Sequence, residues 1–263
     1  MKKINATTTV ETTEIWEVET LRFTGFFPSA GSPVNPAGWW EKIVGQPPEN
    51  KIERPREGIL MQDATLDTKM LTLSVSPARV DFVASASRKV RVTEEYNGWM
   101  TIGSLAESRS DFLAYTDKII GLQSPIVRFA FGALLFRPVE SRIEGYKMLA
   151  RYLPSMKIDI ENSSDFFYQI NRPRKSNVLT NALVNRLSKW SVAHLQPLAV
   201  QINVGQEGSV VSQYVEAGTS GLRLELDIST PAERNDPVPS EQQRALWNEV
   251  VSIGLEIASK GDH

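Results

Sequence analysis

Glu225 and Asp227 stand two residues apart with Arg223 two before them, so in an extended chain the three share one face. Paired carboxylates can hold a divalent cation or divide acid and base roles, and a third acid such as Asp81 would complete a metal-dependent hydrolytic site. Leu222, Leu224, Leu226 and Ile228 occupy the alternate positions, so a half-buried strand with a solvated outer surface explains the same pattern. Gly218-Thr219-Ser220-Gly221 approaches a nucleophile elbow but fails its spacing, because position 222 is leucine, and it reads as a turn. The 263 residues include two histidines and no cysteine, which excludes a thiol nucleophile, a disulfide framework and a Cys-ligated metal. A Ser-His-Asp arrangement would have to run through His194, and no Asp or Glu lies within ten residues of it. No phosphate-cradling Gly-x-x-x-x-Gly-Lys-Ser/Thr and no Gly-x-Gly-x-x-Gly occurs. No catalytic residue, metal ligand or cofactor is therefore assigned.

Binding chemistry is better represented. From residue 166 to residue 206 there is no acid, while Arg172, Arg174, Lys175, Arg186 and Lys189 contribute five positive charges. From residue 207 onward ten acids face four bases, and the first 165 residues are balanced at 20 bases and 21 acids. Such a split suggests that the two C-terminal regions pack on one another or that the basic one meets an external anion. Phosphates would be held by the five cations, with Trp190 beside Lys189 to stack a base. The net charge of −2 argues against a strongly basic surface. Trp39 and Trp40 form a second candidate contact, provided their rings are exposed, since aromatics dominate binding energetics. The alternative for them is to pin a proline- and glycine-rich loop to the core.

These groups need elements to position them. Residues 1–14 are polar and threonine-rich and read as a flexible arm; residues 15–263 read as one α+β unit, with possible halves 15–160 and 161–263. A first strand is expected over Ile15 to Phe27. The segment 28–58 holds six prolines and four glycines and excludes a long regular element, leaving a turn or two of helix at Trp39 to Val44. Alternation predicts three short strands between Ile59 and Ala86. A helix follows, with Ser104 and Glu107 at capping-box spacing and Gly121 placed to terminate it in the left-handed region. Ile126 to Phe136 is the most apolar run and predicts a central strand; it is about half the roughly 20 residues of a membrane span. A helix over Glu140 to Tyr152 and a strand over Asp165 to Asn171 come next; Leu179 to Leu198 has helical spacing at Leu179, Leu183 and Leu187 but extended preference at Trp190, Ser191 and Val192 and is read as strand, before a hairpin of Ser209 to Glu216 with Leu222 to Ser229. A helix from Ser240 ends the chain. Strands in runs with about three helices between them predict an α+β fold, a mainly antiparallel sheet covered on one face.

The stretch Phe26-Phe27-Pro28, Gly38-Trp39-Trp40-Glu41, Pro47-Pro48-Glu49 and Arg54-Pro55-Arg56-Glu57-Gly58 resembles a segment shared by uncharacterised bacterial proteins. With the strand at Ile126 to Phe136 after a long helix, and Leu224-Glu225-Leu226-Asp227-Ile228 before a terminal one, the layout is similar to a sporadically distributed bacterial protein family of about 250 residues. The resemblance implies a patchily inherited accessory protein and, by association, roles in mobile elements or phage defence. It brings no activity with it. The function expected is a non-enzymatic interaction or adaptor protein, a subunit of a complex whose partner is another protein. The alternatives are a nucleic-acid-binding component and a carboxylate- and metal-dependent hydrolase. Lacking cysteines and an apolar segment after Met1-Lys2-Lys3, the chain is expected in the cytoplasm, off the membrane, with homo-oligomers open to it.

Overall fold

The structure is a computed structural model, and it describes residues 16–29, 34–87, 99–122, 125–195, 198–205, 208–215 and 219–262. The arm expected over 1–14 lies outside the described residues. The expected α+β architecture is present: among the described residues there are four helices and a large antiparallel sheet. In chain order the first elements are β1 (Glu17–Phe26), α1 (Trp39–Val44), β2 (Asn50–Arg54), β3 (Ile59–Leu66), β4 (Lys69–Ser76), β5 (Arg79–Ala86) and α2 (Leu105–Gly121). There follow β6 (Arg128–Val139), α3 (Arg142–Tyr152), β7 (Phe167–Asn171), β8 (Arg174–Lys175), β9 (Leu183–Leu195), β10 (Leu198–Gly205), β11 (Gly208–Val215), β12 (Thr219–Ser229) and α4 (Ser240–Lys260). The ten-stranded sheet runs β2-β3-β4-β5-β1-β6-β12-β9-β7, with β8 paired to β9 beside β7. Strand, helix, further strands, helix thus occurs twice, from β1 to α2 and from β6 to α4. The sheet is continuous from the first run to the second through the β1–β6 ladder.

The helices share one face because alternation supplies one. Leu71, Leu73 and Val75 of β4, Val80, Phe82 and Ala84 of β5, and Leu222, Leu224, Leu226 and Ile228 of β12 are all buried. They meet the apolar stripes of α2 (Leu105, Phe112, Ile119) and of α4 (Leu246, Val250, Ile253, Ile257). Trp247 of α4 sits at the centre, its ring 4.8 Å from Phe23 and 5.9 Å from Phe131, and its Nε1 donates to Thr116 Oγ1 of α2 at 3.0 Å. Gly254 lets α4 approach β6 closely, since a Cβ there would come within 2.8 Å of Phe131. Strand β6 is apolar on both faces, as its central place requires.

Several expectations need amending. Gly121 is the last residue of α2 and does not adopt a positive φ; the cap falls on Leu122, whose N–H bonds to Ile119 O and Ile120 O. The Ser104 cap forms as expected, accepting from Glu107 N. Strand β6 runs past the proline expected to stop it, through Pro138 to Val139. The hairpin expected between Ser209 to Glu216 and Leu222 to Ser229 is absent: β11 pairs with β10, and β12 pairs with β9 and β6. Strand β2, all of whose residues are exposed, had no apolar alternation to announce it. No helix among the described residues is long and apolar enough to cross a membrane.

Candidate interaction surface

Among the described residues the second face of the sheet carries no helix. Its residues are the alternates of the core positions, and where β1, β6, β12 and β9 run side by side they form a ladder of opposite charges. Arg22 of β1 stands opposite Gly132 of β6, which stands opposite Asp227 of β12. With no side chain between them, the guanidinium lies across the β6 backbone, and Nη2 reaches Asp227 Oδ2 at 3.4 Å. A Cβ on Gly132 would sit 3.0 Å from Arg22 Nε, so glycine is what opens this crossing. Next along the same strands, Lys189 Nζ meets Glu225 Oε1 at 2.7 Å, and Arg223 Nη2 meets Glu19 Oε2 at 3.3 Å. Glu19 has room to do so because β1 bulges between Val18 and Thr20. On the neighbouring strand Asp81 accepts from Thr24 Oγ1 at 2.7 Å and pairs with Arg79 at 2.8 Å. A cavity of about 210 Å³ opens among Thr20, Arg22, Gly132, Leu134, Arg223 and Glu225.

The carboxylates singled out from sequence are all on this face, yet they do not meet. Glu225 is held by Lys189 and Asp227 by Arg22, while Asp81 lies on β5, with β1 and β6 between it and β12. Among the described residues no group of three or more His, Asp or Glu is placed to hold a metal ion. His194 is exposed at the sheet end, and its Nδ1 lies 2.9 Å from Ser220 Oγ, its partner across the β9–β12 ladder. That contact follows from register alone.

The five cations divide. Arg172 Nε donates to both oxygens of Asp262, at 3.1 and 3.0 Å, and Tyr168 donates to the same carboxylate. Arg174 Nη1 donates to Glu256 Oε2 at 2.7 Å, and Ser176 and the Asn177 N–H both bind Glu249. These acids lie on α4 and just past its end, so the basic segment after β7 is clamped to the acidic C-terminal helix. Arg186 adds to the positive potential at Glu256. Lys189 points to the opposite face of the sheet, and Lys175 is exposed. One convergent cationic surface, which phosphate binding required, is not formed.

The Arg174 hydrogen bond, outweighing partial burial, holds the Glu256 carboxyl below the ordinary carboxylate range. A depressed folded-state pKa contributes stability above the unfolded value and loses it as pH falls. Arg174→Gln is therefore expected to cost under about 1 kcal/mol near neutrality, because the pair is partly solvated. The difference from wild type should shrink below about pH 4, as urea melts at several pH values would show.

Trp39 and Trp40 do not meet the condition for a contact surface: they are 6% and 0% exposed, in a short helix packed on α2. Gly38 and Gly45, at φ 69° and 88°, bracket that helix and turn the chain in and out of it. Lys118 of α2 caps it by donating to Ile43 O at 2.8 Å. The tryptophans pin the loop.

What sequence reasoning missed is Arg22 and Gly132. Neither belongs to a motif; only the order β1-β6-β12 makes an arginine, a glycine and an aspartate neighbours. No family model matches the chain, and neither the curated proteins nor the solved structures compared with it give a match.

Proposed function

We propose that this chain is a non-enzymatic interaction protein, a subunit or adaptor that docks another protein on the open face of its sheet. The observation that carries the reading is the charge ladder. Arg22, Arg223 and Lys189 alternate with Asp227, Glu19 and Glu225 across adjacent strands around a shallow cavity. A polyanion is attracted to a surface of one sign. A face of alternating sign, with Leu134 beside it, offers instead the mixture of polar and apolar contacts found at interfaces between proteins. Among the described residues of the helix-covered face, Trp39, Trp40 and Trp247 are buried in the core, and Arg172 and Arg174 are held by Asp262 and Glu256. Together with the resemblance to a sporadically distributed bacterial family, this favours a partner within a bacterial complex.

Thr20 and Ser191 lie on the open face in partly exposed positions. Replacing both with arginine adds bulk and charge to the face without removing any of its ion pairs. Affinity capture from the native host is expected to lose a specific partner with T20R/S191R and to keep it with Arg244→Glu, which alters an exposed arginine of α4. Equal capture by both variants would reject the assignment.

A further inference from the structure

The sheet has two edges, and they differ. The outer strand β2 carries Lys51, Glu53 and Arg54, charges that discourage another strand from pairing there. The opposite edge, β7, is Phe-Tyr-Gln-Ile-Asn, without a charge, and its Phe167 is 59% exposed. Among the described residues β7 pairs only with β9, and no backbone bond ties its outer side to the segment 153–166 before it. Helices α3 and α4 pack over β6, β12 and β9, so the helix layer is centred inward of this edge. The ladder also fixes which groups are free. Arg172 N–H donates to Arg186 O at 3.4 Å, and in the same register Ile170 and Tyr168 are the residues bonded to Ser188 and Trp190. The N–H and C=O groups of Phe167, Gln169 and Asn171 therefore point outward.

We infer that β7 pairs antiparallel with β7 of a second copy of this chain, about a two-fold axis at Gln169, joining the two sheets into one. The backbone is self-complementary in that register. With Gln169 opposite its own counterpart, Phe167 of each copy stands opposite Asn171 of the other, and every outward N–H meets an outward carbonyl. The side chains agree. Tyr168 and Ile170, on the helix-covered side and both partly exposed in the single chain, become cross-strand neighbours, an aromatic beside a β-branched residue. Charge supplies the direction: Asp159, Glu161 and Asp165 precede β7, whereas Arg172, Arg174 and Lys175 follow it. Antiparallel pairing brings the acidic end of one copy to the basic end of the other, and parallel pairing would set like charges together. Because it uses the sheet edge, this contact leaves the open face of each copy available to another protein.

The experiment uses the full-length chain. Analytical ultracentrifugation over a concentration series is expected to show a dimer in equilibrium with monomer. Gln169→Pro removes the central outward donor and keeps the bonds to β9, which do not use that N–H, so the dimer dissociation constant is expected to rise at least about tenfold. Because the chain has no cysteine, Gln169→Cys places a single thiol at the axis, where hydrogen-bonded partners have Cα atoms about 5.5 Å apart and within disulfide reach. Mild oxidation is expected to give a disulfide-linked dimer on a non-reducing gel, at least about tenfold faster than Lys51→Cys on β2, whose edge has no partner in this assembly. A wild-type chain that stays monomeric throughout the series, a dimer indifferent to Gln169→Pro, or crosslinking no faster at position 169 than at 51 would each overturn the inference.

Discussion

Gly221→Ala is expected to destabilise the protein by about 3 kcal/mol, the upper end of the cost of forcing extra volume into a filled site. Its backbone is ordinary extended chain, so the cost is steric. A Cβ at this position would lie 1.7 Å from Cε2 of Phe136, whose ring crosses Gly221 on the helix-free side of the sheet and is fully buried. The ring has no room to retreat, because Trp99 stacks on it with centroids 3.8 Å apart. The interaction is therefore testable as a pair. Phe136→Leu alone leaves a gap and costs stability, but in the Gly221→Ala background it relieves the clash. The double variant should be more stable than the sum of the single losses, by 1 kcal/mol or more in urea titrations. Additive losses would show that the ring does not constrain residue 221.

The second large effect is expected at Gly261. It follows α4 at φ 83°, its N–H bonds to Ile257 O, and a Cβ would fall 2.1 Å from the carbonyl oxygen of Tyr152. Backbone cannot give way as a side chain might. Gly261→Ala should release the end of the chain from α3, breaking the bond from Asp262 N to Tyr152 O and withdrawing Asp262 from Arg172 and Tyr168. Asp262 is 4% exposed, so the lost bonds are charge-assisted and sheltered, and about 2 kcal/mol is expected. Arg172→Gln should cost stability in the wild type and almost nothing in Gly261→Ala. A full Arg172 effect in both backgrounds would place that arginine's energy elsewhere.

This clamp shows what sequence conveys and where it stops. The excess of cations after residue 166 and of acids after residue 207 is plain in the chain, and with it the option that the two regions pair. That Asp262, Glu256 and Glu249 are the acids used depends on α4 lying beside the end of β9, a tertiary fact. Strands β3, β4 and β5 were legible because strict alternation and short turns make neighbours in sequence neighbours in space. Strand β12 was equally legible as a strand, but its partners were not, since β6 is joined to it through α3 and five intervening strands. The same limit hid the Arg22, Gly132 and Asp227 crossing, whose ends are separated by 205 positions. Trp39 and Trp40 illustrate a different ambiguity. Two aromatics in a loop of prolines and glycines fit a contact surface and a buried pin equally well, and only packing against α2 decides.

The most direct measurement of the proposed function is site-specific photo-crosslinking in the native host. A photoreactive side chain placed at Thr72 or Ser191, on the helix-free face, should give a discrete adduct with one other protein. The same group at Arg244, on α4, should give none. Adducts formed from Arg244 while Thr72 and Ser191 remain unreacted would contradict the assignment of the open sheet face as the docking surface.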